Sequence, residues 1–367
     1  MKLEKIRLGV IGVGNMGKGH IQYILDGKCP EITVTAAADI DEKKLDWVSE
    51  NAPEIKKFAT AEELLDYKNI DSVLIASPHY GHPKLAITAF ERGLHVMTEK
   101  PAGVYTLQVK EMNEAAAKTD VIFAIMWNQR TDHIYRKMRE IVKSGELGEI
   151  RRTSWIITDW YRPQCYYESS DWRATWKGEG GGVLINQCPH NLDLWQWICG
   201  MPKTIQANLH YGKWHNIEVE DDVSAYVEYE NGATGTFITT TGDAIGTNRF
   251  EITFDGGKLL AENGKLTMWK LETFESEFSR TTQDRFAVPK FEMTQVKTDG
   301  KSEQHPEIMN NFAEAILHKK PLIAKGEEGI NALTISNAMH LSAWLDKKIT
   351  LPLDEKLFYN ELMKRVK

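Results

Sequence analysis

The chain has 367 residues, of which 42% are hydrophobic and 26% charged, and 45 basic against 52 acidic side chains give it a formal net charge of −7. At about 150 residues per domain this length predicts two domains, and the ordinary globular balance excludes collagen, a disordered chain and a disulfide scaffold. The acidic charge argues against a general nucleic-acid surface, because such binding needs clustered Lys and Arg, although a local basic patch stays open.

The first third of the chain alternates short apolar runs with helix-like patterns. This alternation is typical of βαβ units and predicts a doubly wound parallel sheet, a Rossmann fold, over residues 1–126. The predicted strands are apolar enough to be covered on both faces. They are residues 6–11, 32–38, 72–76 and 95–98.

The pattern changes from about residue 150. Asn231-Gly232, Asp255-Gly256 and Asn263-Gly264 are strong hairpin turns, because Gly and Asn tolerate positive φ, and they predict an antiparallel meander. Apolar residues at helical spacing around 308–316 and 330–344 predict two amphipathic helices near the C-terminus. We expect residues 127–367 to form an α/β domain with an open, mostly antiparallel sheet, whose C-terminal helices pack back on the Rossmann domain.

The cysteines and the apolar runs bear on compartment. Cys29, Cys165, Cys188 and Cys199 include no C-x-x-C pair and no zinc spacing, which predicts thiols in a reducing compartment and no metal site. The N-terminus lacks the apolar region of a signal peptide, and the chain has no stretch of ~20 apolar residues. We expect a cytoplasmic protein without a membrane partner.

A glycine-rich turn follows the first predicted strand. Residues 12–17 read G-x-G-x-x-G and open a predicted helix. The first glycine permits the tight turn, the second lets the backbone approach a pyrophosphate and the third allows close packing, while the helix N-terminus supplies N–H donors. The residues expected to bind a dinucleotide here are Gly12, Gly14, Asn15, Met16 and Gly17.

An acidic residue closes the second predicted strand. Asp39 lies 27 positions after Gly12, close to where a carboxylate accepts hydrogen bonds from the adenosine ribose. The same charge repels a 2′-phosphate, and Ile40 beside it brings no basic group, so NAD is favoured over NADP. Two alternatives stay open: Asp39 caps a loop, or Asp41 takes the ribose role.

Three segments carry a resemblance to a known family. Residues 77–82 (SPHYGH) and 99–101 (EKP) follow later predicted strands, and residues 180–193 read GGGVLINQCPHNLD. In this order they resemble the glucose-fructose oxidoreductase / inositol dehydrogenase (Gfo/Idh/MocA) family over nearly the whole chain. The resemblance implies a homo-oligomer, a dimer, tetramer or higher, assembled through the C-terminal sheet. It also implies cofactor contacts from Ser77, Pro78, His79, His82, Glu99 and Lys100.

Lys100 and His190 are the predicted acid–base pair. A lysine at the carboxyl end of a parallel strand, near a cationic nicotinamide in a partly dry pocket, is pushed toward its neutral form and can act as a base. If residues 183–198 are helical, Asn186, His190, Asp193 and Trp197 share one face, although Pro189 would kink that helix or mark its start. The resemblance favours a catalytic His190 over a structural one.

Asn186 departs from the family pattern. Related polyol dehydrogenases commonly carry Asp at this position, and Asn cannot relay a proton by ionising. We therefore expect Asn186 to orient a substrate hydroxyl or the Lys100 amine, while His190 and Lys100 carry the proton transfer. Asp193 either holds the tautomer of His190 or caps local structure.

Weaker expectations concern the middle of the chain. Asn128 and Arg130 resemble an N-x-R that contacts the nicotinamide ribose and substrate. Trp172-Arg173 resembles a W-R pair that reaches the cofactor from the second domain, and Trp172 is also expected to contact substrate. The alternative for the two arginines is an interdomain ion pair. The aromatic segment 155–176 fits a stacked nucleic acid, an oligomer interface or a sugar site, and the acidic charge disfavours the first. We expect Tyr161 to contact substrate.

Together these features predict an NAD-dependent dehydrogenase. The expected reaction oxidises a secondary ring hydroxyl of a sugar, glycoside or cyclic polyol, for example C3 of a glucoside or a ring carbon of an inositol. The two alternatives are a non-catalytic NAD-binding sensor and an NADPH-dependent sugar reductase.

Overall fold

A computed structural model describes residues 4–366, which form two compact units. The first unit contains the chain up to Thr131 together with Gly178–Gly180 and Glu303–Leu333. The second contains Asp132–Lys177, Gly181–Ser302 and the chain from Thr334 onward. The N-terminal part of the first unit thus runs to Thr131, and the unit also includes the later segment Glu303–Leu333.

The first unit is built on a six-stranded parallel sheet in the order β3-β2-β1-β4-β5-β6. The order reverses between β1 and β4, and open α/β sheets bind ligands at such a point, outside the carboxyl ends of the strands. The predicted doubly wound sheet is confirmed. Its strands are β1 (Ile6–Ile11), β2 (Ile32–Ala38), β3 (Lys56–Phe58), β4 (Ser72–Ile75), β5 (His95–Thr98) and β6 (Phe123–Ile125).

The second unit carries a nine-stranded sheet in the order β14-β13-β12-β11-β7-β10-β9-β8-β15. Its pairs are antiparallel except for β7 and β10, which are parallel. Its strands are β7 (Ile150–Ile157), β8 (Thr204–Tyr211), β9 (Glu220–Glu228), β10 (Thr234–Thr240), β11 (Asn248–Phe254), β12 (Gly257–Glu262), β13 (Lys265–Leu271), β14 (Phe291–Gln295) and β15 (Ile349–Thr350).

Twelve α-helices lie within the described residues. They are α1 (Asn15–Leu25), α2 (Glu42–Asn51), α3 (Ala61–Leu65), α4 (Gly81–Glu91), α5 (Thr106–Ala116), α6 (His133–Ser144), α7 (Gln164–Tyr167), α8 (Pro189–Cys199), α9 (Glu275–Thr281), α10 (His305–His318), α11 (Gly329–Leu345) and α12 (Glu355–Met363). The two helices predicted near the C-terminus are α10 and α11. None of the helices in residues 4–366 is long and apolar enough to cross a membrane.

The expected meander is interrupted by β7. The three predicted hairpin turns join β9 to β10, β11 to β12 and β12 to β13, but β7 inserts between β10 and β11. Trp155 on β7 explains the insertion, because its buried ring stacks on Phe250 of β11 at 4.2 Å and meets Phe237 of β10 edge-on at 6.3 Å. The aromatic core of this sheet therefore joins β7 to β10 and β11, two strands that come much later in the sequence.

Candidate functional site

The glycine turn lies between β1 and α1 and fits a dinucleotide. Gly12 has φ +94°, and a Cβ there would lie 2.5 Å from the carbonyl oxygen of Ala76. At Gly14, apart from its chain neighbours and the helix backbone, no atom of the described residues lies within 4 Å of a Cβ position, which leaves room for a bound group. Gly14 is the N-cap of α1 without a side-chain cap, and the first turn has no acidic residue, so the positive end of the helix is available to a phosphate.

Asp39 lies at the end of β2, as the ribose role requires. Its Oδ2 accepts from Val13 N at 2.8 Å and its Oδ1 accepts from Asp41 N at 2.9 Å. Asp41 is instead the N-cap of α2, where its side chain accepts from Lys43 N. Lys44 was not foreseen: its Nζ lies 3.5 Å from Asp39 Oδ1 and it is partly exposed. The negative carboxylate of Asp39 thus offsets the positive charge of the nearby Lys44.

This arrangement predicts how cofactor preference changes on mutation. The wild-type protein should favour NAD over NADP by at least about tenfold in kcat/KM, a difference of ~1.4 kcal/mol. Asp39→Ala removes the repulsion of a 2′-phosphate and leaves Lys44 to attract it, so the preference should fall at least about tenfold. Asp41→Ala, which loses only a helix cap, is the matched control and should keep the preference. Equal use of both cofactors by the wild type would overturn the assignment to Asp39.

The loops after β4 and β5 are tied together by His82. Its Nδ1 lies 2.8 Å from Pro101 O and its Nε2 lies 2.7 Å from Ser77 O, and burial lowers the pKa of this imidazole. His79 Nδ1 lies 3.0 Å from Glu179 O within the same unit. The segment after the carboxyl end of β4 is therefore held in place at the position where the sequence predicts cofactor contacts from Ser77, Pro78, His79 and His82.

Glu99 anchors the segment that carries Lys100. The buried Glu99 Oε1 pairs with His20 Nε2 at 2.6 Å, and its Oε2 accepts from Lys100 N at 3.1 Å. Burial opposes the charged carboxylate, but the hydrogen bond from His20 and the charges of His20 and Lys100 lower the pKa of Glu99 to about 2. Lys100 itself is half-buried. An ionised, buried carboxylate thus fixes the backbone of the predicted base.

Sequence reasoning missed His20, although its spacing could have found it. It lies three positions after Gly17, so both residues share the buried face of α1. The ring of His305 lies 5.5 Å from the His20 ring, and burial lowers the pKa of His305 to about 4. His305 therefore carries no positive charge beside Glu99 at neutral pH.

Asn128 and Arg130 lie in a 3-10 helix, Asn128–Thr131. Asn128 Nδ2 donates to Gln304 Oε1 at 2.7 Å. Arg130 is 1% exposed, pairs with Glu328 and donates to Ile323 O at 3.2 Å, all within the first unit. These contacts pack Arg130 within the first unit, and its contact with a substrate stays a prediction.

In the second unit, a tight turn presents Asn186. The carboxylate of buried Glu220 accepts from Gly182 N at 2.9 Å and Leu184 N at 3.0 Å, and Asn186 N donates to Gly182 O at 3.0 Å. A Cβ at Gly182 would overlap the carbonyl oxygen of Glu220. Glu220, which no sequence motif singles out, therefore shapes the turn that holds Asn186.

His190 and Asp193 lie on α8, which begins at Pro189. Of the two alternatives for Pro189, a kink or a helix start, the structure shows the start. Proline suits the first helical position, and the residues before it form turns, so a continuous helix over 183–198 is not present. Asn186 does not share a helix face with His190, although only four positions separate them. His190 is 8% exposed, and Asp193 Oδ1 accepts from Gln196 Nε2 at 3.0 Å.

Aromatic side chains of the second unit surround α7. Trp160 Nε1 donates to Asn191 Oδ1 of α8 at 3.1 Å, and Tyr161 is 45% exposed. The Arg173 guanidinium lies 4.8 Å from the Trp172 ring and 4.5 Å from the Tyr166 ring, and its Nη1 donates to Tyr166 Oη at 2.8 Å. Trp172 and Arg173, predicted to reach the cofactor, thus belong to an aromatic cluster of this unit together with Tyr166.

The cysteine spacings predict no metal site. Within residues 4–366 no group of three or more His, Cys, Asp or Glu side chains is placed to hold a metal ion.

The sheet order, the glycine turn and the acidic end of β2 define a dinucleotide-binding protein. Residues 6–126 match the family model described as oxidoreductase family, NAD-binding Rossmann fold, and residues 135–260 match the GFO/IDH/MocA C-terminal domain. The chain belongs to the Gfo/Idh/MocA family of oxidoreductases and is an NAD-dependent dehydrogenase.

One curated relative and two solved structures are similar to this chain over at least 95% of its length. The myo-inositol 2-dehydrogenase of Thermotoga maritima is 24% identical over 95% of this chain and 99% of its own. The WlbA dehydrogenase from Chromobacterium violaceum, solved with NADH and UDP-GlcNAcA, is 25% identical with a TM-score of 0.83, covering 96% of this chain and 98% of its own. A levoglucosan dehydrogenase solved with NADH and levoglucosan shares the fold at 20% identity, with a TM-score of 0.76 over 95% of this chain and all of its own.

Proposed function

We propose that this chain oxidises a secondary ring hydroxyl of a sugar, glycoside or cyclic polyol, such as C3 of a glucoside or a ring carbon of an inositol. The observation that carries the proposal is a group of polar side chains in the second unit. Asn186 is presented by a turn fixed on buried Glu220, and His190 follows in the first turn of α8. Polar groups of this kind beside an aromatic segment suit a ring that has hydroxyl groups on its edge and C–H groups on its faces.

In the proposed reaction, Lys100 is the base. The neutral amine Nζ removes the proton of the substrate hydroxyl, while hydride leaves the same carbon and a ketone forms. When bound, the oxidised nicotinamide accepts that hydride. General-base help of this kind contributes ~10²- to 10⁴-fold to the rate. Glu99 and its partner His20 fix the backbone of Lys100 from the buried side.

His190 and Asn186 complete the proposed set. His190 is the second proton-handling group, and Asn186 orients the reacting hydroxyl through its amide, since an amide binds hydrogen-bond partners without ionising. Tyr161 and Trp172 are proposed to contact the sugar ring. Gly14, Asp39 and the loop of Ser77–His82 are proposed to hold the cofactor, with Asn128 and Arg173 as further contacts, and the C-terminal sheet is proposed to join subunits.

The test is formation of NADH by the purified protein with NAD and a substrate panel. The panel contains myo-inositol, D-glucose, methyl glucosides, an aryl glucoside and the open-chain polyol sorbitol as a control for ring recognition. We expect turnover with at least one cyclic compound and none with sorbitol. A protein that binds NAD but oxidises no cyclic member of the panel would contradict the proposed substrate class. Turnover only in the reverse direction with NADPH would identify a reductase.

A further inference from the structure

In the second unit, three hydrogen-bond donors contact the hydroxyl oxygen of Tyr166, and one of them is Asn186. Tyr166 Oη accepts from Arg173 Nη1 at 2.8 Å, from Asn186 Nδ2 at 3.2 Å and from Gln187 Nε2 at 3.4 Å. A phenol oxygen has two lone pairs, and the two shorter contacts fill them. Tyr166 therefore joins the aromatic cluster to the turn that presents Asn186.

The position of this hydroxyl is fixed from several sides. The Arg173 guanidinium lies 4.5 Å from the centre of the Tyr166 ring and the Arg162 guanidinium 5.1 Å, distances at which a cation is attracted to an aromatic face. The neighbouring Tyr167 packs edge-on against Tyr166 at 5.2 Å and donates from its own hydroxyl to Thr241 Oγ1 at 2.8 Å. The short helix α7 is thus anchored just beyond β10, and Tyr166 has little freedom to move.

Asn and Asp side chains differ in whether they must be turned one particular way at such a position. The two oxygens of an Asp carboxylate are equivalent acceptors, so either way of turning the side chain presents an acceptor to a hydroxyl. An Asn amide has one donor end and one acceptor end, and a turn of the amide exchanges them. At Asn186 the donor end, Nδ2, is the end that contacts Tyr166.

We propose that Tyr166 is a positioning residue, which engages Nδ2 of Asn186 so that Oδ1 is the end that accepts the substrate hydroxyl. This inference rests on the proposed function and deepens it. It explains how a chain with Asn at this position orients a hydroxyl as an Asp would, and Arg173 contributes by fixing the phenol that does so.

A double-mutant cycle tests the inference through catalysis. Tyr166→Phe removes the partner of Nδ2, so kcat/KM for the sugar or polyol should fall about tenfold while the KM for NAD stays unchanged. In an Asn186→Asp background the carboxylate needs no orienting, so the same change should cost less than about twofold. Tyr226→Phe, on the exposed side of β9, is the control and should leave both backgrounds unchanged. Equal losses in the two backgrounds, or no loss in either, would overturn the proposal.

A second readout is independent of turnover. In protein labelled with ¹⁵N only at asparagine, the Asn186 side-chain signal is identified by its disappearance in Asn186→Asp. Tyr166→Phe should shift that signal and speed exchange of its amide protons with water, whereas Tyr226→Phe should leave it in place. An unmoved signal contradicts the contact with Tyr166. A moved signal in a protein that oxidises no cyclic substrate supports the contact and rejects the dehydrogenase proposal, so the two failures are distinguishable.

Discussion

Replacing Lys100 with Ala is expected to lower kcat by about 10²-fold or more, while NAD affinity stays within a small factor. The reason is that the amine acts on the reacting hydroxyl and not on the dinucleotide, and loss of a general base costs ~10²- to 10⁴-fold. The measurements are steady-state kcat with the best cyclic substrate and NAD binding by fluorescence titration.

Two further variants sharpen this result. Lys100→Arg keeps the positive charge but cannot give up a proton near neutral pH, so it should be nearly as inactive as Lys100→Ala. Lys84→Ala, on the exposed face of α4, should behave as the wild type. A Lys100→Ala protein that loses NAD binding and keeps its turnover would show that Lys100 is a cofactor residue and that the base lies elsewhere.

Substitution of two glycines in the same turn should have different effects, one on stability and the other on NAD binding. A Cβ at Gly17 would overlap the carbonyl oxygen of Gly12, so Gly17→Ala should lower the free energy of unfolding by at least about 2 kcal/mol, a typical cost of overpacking. A Cβ at Gly14 meets no atom beyond its chain neighbours and the helix backbone in the described residues, so Gly14→Ala should fold normally. It should still weaken NAD binding at least about tenfold, because the added methyl group occupies the space left for the pyrophosphate.

The measurements for this pair are chemical denaturation and NAD titration. A Gly14→Ala protein that binds NAD as the wild type does would show that the dinucleotide does not approach this glycine. A fully stable Gly17→Ala protein would show that α1 can move away from the turn after β1.

The parts of the fold that depend on local chemistry could be predicted from the sequence. Three predicted strands of the parallel sheet have the observed bounds and the fourth, at 72–76, ends one residue earlier, because continuous apolar runs define strands covered on both faces. The hairpin turns follow from Asn-Gly and Asp-Gly pairs. Pro189 illustrates the limit: its preference for a helix start competes with the spacing of Asn186 and His190, and the structure resolves the conflict in favour of the proline.

Long-range partners could not be predicted. The ion pair between Arg130 and Glu328 joins residues that are 198 positions apart in the sequence. The hydrogen bond that Asn186 donates to Tyr166 joins residues that are 20 positions apart. In the sequence Tyr166 is one of several aromatic residues with nothing to distinguish it, and Glu220 is one acid in an acidic run. Their roles depend on which backbone the fold brings within hydrogen-bonding distance, and no periodicity encodes that.

Transfer of a label from the ring carbon to the cofactor tests the central claim most directly. The protein is incubated with NAD and with methyl β-D-glucoside deuterated at C3, or with fully ring-deuterated myo-inositol, and the cofactor is released by denaturation and analysed by mass spectrometry. This readout also detects a cofactor that stays bound and is recycled. Direct hydride transfer predicts deuterium in the nicotinamide of the wild type, and label that appears about 10²-fold more slowly, or not at all, with Lys100→Ala. An oxidised sugar whose deuterium appears in water and never in the nicotinamide would contradict it.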